Sequence, residues 1–543
     1  MRQIYKKSGF SLVEIIIAVL ILAFLTILVA VLLDPADFFP SARDTRRISD
    51  LQGIDSALSM YRQDVGAFFK TSSISQADPS NAVIGLVRQD CTGYSNCFTS
   101  LAAWQAAFGG INFGACAQGD LVCANKVAVA RIEGAWSAAD TTAVVINGWT
   151  TTSTNYIKIY TTQTARHNGK WNNSAYRLES GGTGGGNYWA VIGIKANYVK
   201  IDGLQIQLNI CCGGTSQGIT ISDWVSTTNS EVMISNNIIR TLTASLGSYD
   251  YGIRMMSGHA VKVFNNIVYG FNNNTSYGIA ILGNINNSDM NLYSYNNTVI
   301  DSYNGIYNYM FLPTVYAKNN IVQSSTHGYF SNSGNWGSGT GYNISNDDTA
   351  PGINSKNSAT VSFADSANKD FHLAPIDASA RGTGINLSAD PNLSFSNDID
   401  GFWRFNIWDI GADQLQDIFI SLPDSSNICA NSSLPIPPSG WSYRCSASST
   451  LTKTNGTGWI PVDFTKIPGN AFSVLPIDPV NQVESGQYYT FVIDGKKWEL
   501  TSILESDKNK GVDKIGGKDG GQNVNILEIG SNLTLTPSAV KNR

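Results

Sequence analysis

The chain has 543 residues, of which 14% are charged and 43% hydrophobic, with a formal net charge of −5. Soluble proteins average about 25% charged residues, so charge is scarce here, and Gly, Ser, Thr and Asn replace it rather than extra apolar mass. That balance excludes a coiled coil, a multi-span membrane protein and a basic nucleic-acid binder, while 12 Trp, 23 Tyr and 22 Phe supply too much core material for a disordered chain.

At the N terminus, Arg2, Lys6 and Lys7 precede an apolar run from Phe10 to Leu33 whose one charge is Glu14. Such a run is long enough to span a hydrocarbon core of about 30 Å as a helix, and the basic leader sends everything after Leu33 outward. An ordinary signal anchor is the plain reading; a cleaved secretory peptide fits poorly, because no small-x-small site ends a short apolar region. A carboxylate within such a span is costly and calls for a partner. Gly9-Phe10, with Glu14 at the fifth position after Gly9, resembles the prepilin signal of type IV pilins and type II secretion pseudopilins. The resemblance implies a leader over 1–9, peptidase cleavage after Gly9 and methylation of Phe10. It also implies that Glu14 pairs with the freed Phe10 amine of a neighbouring subunit. The implied partners are other pilin-like subunits through the helix, the prepilin peptidase and the membrane. The implied location is a single-pass inner-membrane precursor with its bulk outside, later a surface filament.

After Asp34-Pro35, Ile48, Leu51, Ile54 (or Asp55), Leu58 and Tyr61 recur at helical spacing, so the helical part of this region (10–80) buries one face. Arg43, Arg46 and Arg47 alternate with Asp44, Asp50 and Asp55, which reads as a solvated face rather than a nucleic-acid patch. Eight cysteines suit an oxidising compartment: Cys91 with Cys97, Cys116 with Cys123, and Cys429 with Cys445 are candidate disulfides, and Cys211-Cys212 are adjacent. Zinc is not expected, since His167, His259, His327 and His372 lack ligand spacing.

Between about 150 and 340 one phrase recurs: Ile234-Ser235-Asn236-Asn237-Ile238-Ile239, Val263-Phe264-Asn265-Asn266-Ile267-Val268, Tyr295-Asn296-Asn297-Thr298-Val299 and Lys318-Asn319-Asn320-Ile321-Val322. A second phrase interleaves with it at Gly218, Gly252, Gly278, Gly305 and Gly328. Each coil is thus expected to offer two short strands, one ending in Asn-Asn and one starting at Gly. Coils of this kind stack into a right-handed parallel β-helix, with equivalent asparagines forming a ladder at the corner. A β-propeller is the main rival, but its period is about 40 residues or more. The repeat resembles pectate-lyase-like β-helix domains. Phe371-His372-Leu373-Ala374-Pro375, Asp398-Ile399-Asp400-Gly401 and Trp408-Asp409-Ile410-Gly411-Ala412 resemble the closing phrase of many exported ones.

Towards the C terminus, Tyr489, Phe491 and Ile493 alternate, Asp494-Gly495-Lys496-Lys497 turns, and Trp498 and Leu500 alternate again, which predicts a hairpin. Leu475-Pro476-Ile477-Asp478-Pro479 with this hairpin resembles the body of small pilin and pseudopilin domains. The expected organisation is one α+β pilin-like domain split into 10–80 (transmembrane over 10–33) and 418–543, with a β-helix inserted over 82–415. The fold class is mainly β. No cofactor is expected; Asp507, Asp513 and Asp519 in a Gly-rich loop offer calcium a seat, against the commoner reading of acidic turn residues.

No catalytic residue stands out. Asp250, Arg254 and Lys262 are too few to make a lyase base and cation site, and no acidic pair repeats on one strand. Tyr293, Tyr303, Tyr307, Tyr309, Tyr316 and Trp336 crowd successive coils and would stack on sugar faces, or on one another in the core. The expected function is a minor pilin or pseudopilin subunit displaying a β-helix for surface or glycan attachment, with no nucleic-acid partner. The alternatives are a membrane-anchored polysaccharide lyase or hydrolase, and an assembly-priming pseudopilin without ligand.

Overall fold

The computed structural model describes residues 11–33, 35–64, 78–109, 114–181, 188–209, 214–242, 249–282, 289–309, 314–332, 335–404, 408–424, 429, 434–438, 440–467, 472–494 and 497–541. Over 28–33, 35–37 and 188–189, and at 64 and 335, the backbone alone is described. The chain forms two compact units. One comprises Met1–Phe68, Asp417–Pro438 and Tyr443–Arg543; the other comprises Phe69–Gln416 and Ser439–Ser442.

The second unit is a right-handed parallel β-helix. Among the described residues its strands stack into parallel sheets of ten, seven and seven. One coil runs through Glu231–Ser235, Ile238–Thr241 and Asp250–Met255, and the next through Ala260–Phe264, Ile267–Tyr269 and Ser276–Ile281. Register stacks like on like: Ile201, Ile234 and Val263 in the first sheet, Ile206, Ile239 and Val268 in the second, Ile219, Ile253 and Ile279 in the third. All nine are buried, and each such side chain contributes roughly 1.5–3 kcal/mol through removal from water.

Each coil carries three strands where the repeat suggested two, because the Asn-Asn pair bends the first phrase in half. The leading asparagine is left-handed, with φ of 55°, 53°, 49° and 55° at Asn236, Asn265, Asn296 and Asn319. Asparagine tolerates that conformation better than most residues. The trailing asparagine points inward and ladders. Asn237 Nδ2 donates to Asn266 Oδ1 (3.0 Å), Asn266 to Asn297 (3.0 Å), Asn297 to Asn320 (3.1 Å) and Asn320 to Asn343 (3.0 Å). The same oxygens accept the backbone N–H of the preceding coil, so a buried corner keeps its polar groups satisfied. Glycine is needed at the start of the third strand by close packing: a Cβ on Gly252 would lie 2.5 Å from Val268 Cγ1 and 2.6 Å from the Gly278 carbonyl oxygen.

The helix Leu101–Phe108, N-capped by Ser100, packs Trp104 and Phe108 against the strands that begin the first and third sheets. At the other end the chain does not stop at the last coil. Residues 363–404 and 408–415 return along the outside of the asparagine corner, where the leading asparagines hold them. Asn265 Nδ2 donates to the Asn397 carbonyl (2.6 Å), Asn296 to Asp409 and Gly411 (3.1 and 2.9 Å), and Asn319 to Ile385 (2.8 Å). Ile399, Ala412 and Phe371 pack on Ile238, Ile267 and Tyr269 beneath.

α1 (Leu12–Leu33) and α2 (Pro35–Asp64) precede a five-stranded sheet ordered Trp441–Ser446, Gln416–Pro423, Thr490–Asp494, Lys497–Ile503, Ile526–Gly530, all of which but Gln416, Trp441 and Ser442 falls in the first unit. The predicted hairpin is antiparallel, pairing Phe491 with Leu500 and Ile493 with Trp498. Leu51, Ile54 and Leu58 are buried on the face of α2, and Tyr489 Oη and Trp498 Nε1 donate to Asp50 and Asp55 (2.9 and 2.8 Å). The arginine-aspartate face of α2 is only partly solvated, where its alternation suggested a solvated face throughout: Arg46 is exposed, but the centre of the face is not. Arg47 and Asp44 are fully buried, Arg47 forking onto Asp478 and bonding Asp44 (2.9 Å), and Asp44 accepting the backbone N–H groups of Glu505 and Ser506 (2.9 Å each). Disulfides join Cys91 to Cys97, Cys116 to Cys123 and Cys429 to Cys445; Cys211 and Cys212 lie outside the described residues. Among the described residues no helix is long and apolar enough to cross a membrane, and part of the span expected over 10–33 lies outside them.

Candidate functional site

The returning segment gathers charge that the coils lack. In the strand Asp370–Leu373, which runs antiparallel to Phe363–Asp365, alternation buries Phe371 and Leu373 and turns Asp370 and His372 to the other side. The turn Asp398–Phe402 is tied by Asp398, whose Oδ1 accepts the N–H of Asp400 (3.0 Å) and Phe402 (2.8 Å). That turn presents Asp400 to His372. Asp413 follows the left-handed Gly411 and accepts the Leu373 N–H (2.7 Å).

His372 sits between two carboxylates, Nδ1 at 2.5 Å from Asp370 Oδ1 and Nε2 at 2.9 Å from Asp400 Oδ2. Lys170 Nζ lies 3.4 Å from Asp370 Oδ2. A coil residue completes the wall: His167 is buried, its Nε2 2.9 Å from the Asn236 carbonyl oxygen while its Nδ1 accepts the Gly169 N–H (3.2 Å). That pair of bonds selects the neutral tautomer with the proton on Nε2. These groups border a cavity of about 430 Å³, also lined by Asp413, Phe402 and Trp441.

Two histidines in one cavity are thus pushed in opposite directions. Burial, with the nearby Arg166, lowers His167 to about 3. Burial would also lower His372, but the bonds to Asp370 and Asp400 overcome it and raise the ring to about 12. Burial would raise Asp370, but its bonds to His372, the attraction of that ring and Lys170 together lower it to about 2, whereas burial lifts Asp413 to about 6 against the pull of His372. His372, Asp400 and Asp413 are the group among the described residues whose ligand atoms, all within 4.8 Å of one another, suit a shared ion. The cluster combines an imidazole, carboxylates and an ammonium at a cavity mouth, able to hold a cation or to donate hydrogen bonds to an anionic ligand.

The residues singled out from sequence are distributed elsewhere. Gly9 and Phe10 lie outside the described residues; Glu14 is exposed on α1 and accepts the Ser11 N–H (2.9 Å). The aromatics divide between sheets. Tyr293 and Tyr316 stack at 5.0 Å on the first, whereas Tyr307 and Tyr309 stand 5.8 Å apart at the third. There Tyr251, Tyr277, Tyr307 and Phe330 form a continuous column at 4.8, 4.7 and 5.4 Å. Tyr303 packs on His327, which meets Phe330 of that column at 5.7 Å, whereas Trp336 packs on Tyr329 at the core and does not extend it.

Asp250 and Arg254 lie on the third sheet, and Lys262 lies on the first, bonded to Glu231 (2.6 Å), so they form no trio. Asp507, Asp513 and Asp519 are not drawn together as an ion site; Asp507 and Asp513 are exposed, and Asp519 accepts the N–H groups of Gly521 (2.9 Å) and Glu528 (2.8 Å). Sequence reasoning misses His372, Asp400 and Asp413 as a cluster, because the histidines show no ligand spacing along the chain and the partners come from separate turns. The density of Asp and His in the closing phrase was the available signal.

Comparison with known proteins bears first on the N terminus: the prokaryotic N-terminal methylation motif family matches residues 4–30. No curated relative matches the chain. Among solved structures, the pectin methylesterase from Aspergillus niger is similar over 51% of this chain and 92% of its own, at 10% identity and a TM-score of 0.25. The stacked parallel sheets, not that likeness, establish the β-helix.

Proposed function

We propose that this chain is a minor pilin-like or pseudopilin-like subunit that carries a β-helix for attachment to a surface glycan. One observation carries the reading: an N-terminal methylation motif leads into a unit whose helix and sheet come from opposite ends of the chain. In sequence the β-helix is therefore an insertion, and insertions succeed where the flanking ends already meet. On this reading a prepilin peptidase cuts after Gly9, Glu14 pairs with the Phe10 amine of a neighbour in the membrane, and the apolar helix joins the filament. Pairing neutralises two charges that lipid cannot solvate. A bulky insertion crowds helical packing, which motivates a minor role rather than that of the main subunit.

The aromatic column at the third sheet supports the attachment role. Tyr309 and Phe330 are exposed at its end, 40% and 36%, where a sugar face would stack. Deleting residues 82–415 tests both halves: filament assembly is expected to persist while adhesion is lost. Loss of assembly instead would support a priming role. Purified filaments holding this chain at the abundance of the main subunit would contradict the minor role.

A further inference from the structure

We propose that His372, Asp400 and Asp413 bind one divalent transition-metal cation of the zinc type, in a hollow left open by Gly169. Three observations converge. First, Asp400 Oδ1 has no hydrogen-bond partner, although its side chain is only 9% exposed. A buried carboxylate oxygen without a donor is costly, and a cation supplies what is missing. Second, the space in front of that oxygen is shaped by the absence of a side chain. A Cβ on Gly169 would lie 2.3 Å from His372 Nε2 and 2.7 and 2.9 Å from the two oxygens of Asp400. The left-handed φ of 71° at Gly169, with its N–H fixed on His167, keeps the hollow open. Third, three acidic side chains, Asp370, Asp400 and Asp413, line the cavity beside the single ammonium of Lys170, an acidic excess that a divalent ion would offset.

The donor set selects the metal class. An imidazole nitrogen with carboxylates suits zinc and its neighbours, whereas calcium and magnesium take oxygen ligands. Asp370 plays the orienting part: its Oδ1 lies 2.5 Å from Nδ1 and holds that N–H, so a cation displacing the proton that Nε2 shares with Asp400 would meet the Nε2 lone pair. Three protein ligands leave coordination positions facing the cavity. The rival occupant is a proton, which would make His372 a fixed cation clamped between Asp370 and Asp400.

The test uses the full-length chain in detergent, stripped of metal and titrated with zinc at neutral pH. About one equivalent should bind, raising the thermal midpoint, while calcium at equal concentration leaves the midpoint unmoved. Cobalt(II) should give visible d–d absorption from the site. Asp400→Asn should weaken zinc by roughly 10–100-fold or more. His372→Arg separates the rivals: arginine keeps a cation between the aspartates but offers no lone pair, so zinc binding should be lost. A wild-type chain with no stoichiometric zinc, or an H372R chain that binds like wild type, overturns the proposal. The wild-type titration decides even where a variant does not fold.

Discussion

Arg47 on α2 and Asp478, 431 residues later, meet in a fully buried fork, Nε to Oδ2 at 2.7 Å and Nη2 to Oδ1 at 2.9 Å. Asp44 and Glu505 also bond the same guanidinium. The cluster joins the N-terminal helix to the C-terminal segment of its unit. Removing one partner strands the other charges in a dry interior. Arg47→Ala should therefore cost about 3–5 kcal/mol in urea unfolding. Arg47→Lys should recover only part of that, because a point charge cannot fork.

Asn297 accepts both the N–H (3.1 Å) and the Nδ2 (3.0 Å) of Asn266 and donates to Asn320 (3.1 Å). Asn297→Ala leaves several of these buried groups without partners and should destabilise the β-helix by at least about 2 kcal/mol. The exposed Asn272→Ala, as a control, should change stability by less than about 0.5 kcal/mol. Denaturation midpoints of the two variants check the contrast.

Acid should destabilise the β-helix through His167. Its pKa of about 3 lies below the ordinary histidine value of 6.5, so the folded state holds the ring neutral while the unfolded chain takes up a proton. The contribution is fully present above about pH 6.5 and is lost as pH falls towards 3. His167→Gln should flatten this part of the thermal-midpoint profile between pH 4 and 7. A variant profile parallel to the parent's would remove His167 as the cause.

At the third sheet, Tyr309→Ala should reduce retention on the bound glycan while changing stability by no more than about 0.5 kcal/mol, since the ring is exposed. A glycan array probed with full-length wild type and variant reads this directly. Equal signals would move attachment elsewhere on the molecule.

The β-helix was legible because its corner imposes the same two demands on every coil. A left-handed residue must turn the chain, and an inward amide must satisfy buried backbone, so Asn-Asn recurs at 236–237, 265–266, 296–297 and 319–320. The strand count was not legible, since apolar residues continue across the bend and look like one strand. Burial of Arg47 was hidden for a different reason: local alternation with aspartates resembles a solvated face, and its partners Asp478 and Glu505 lie far along the chain. The His372 cluster combines both difficulties. Its members come from a strand, two turns and a coil glycine, with no periodicity to connect them, and became adjacent only when the returning segment docked on the leading asparagines.

The central claim, a prepilin-type subunit, is tested most directly by mass spectrometry of the mature N terminus in chain isolated from cells containing the processing peptidase. The account predicts a chain beginning at N-methylated Phe10. An intact Met1 terminus, or cleavage beyond Leu33, would contradict it.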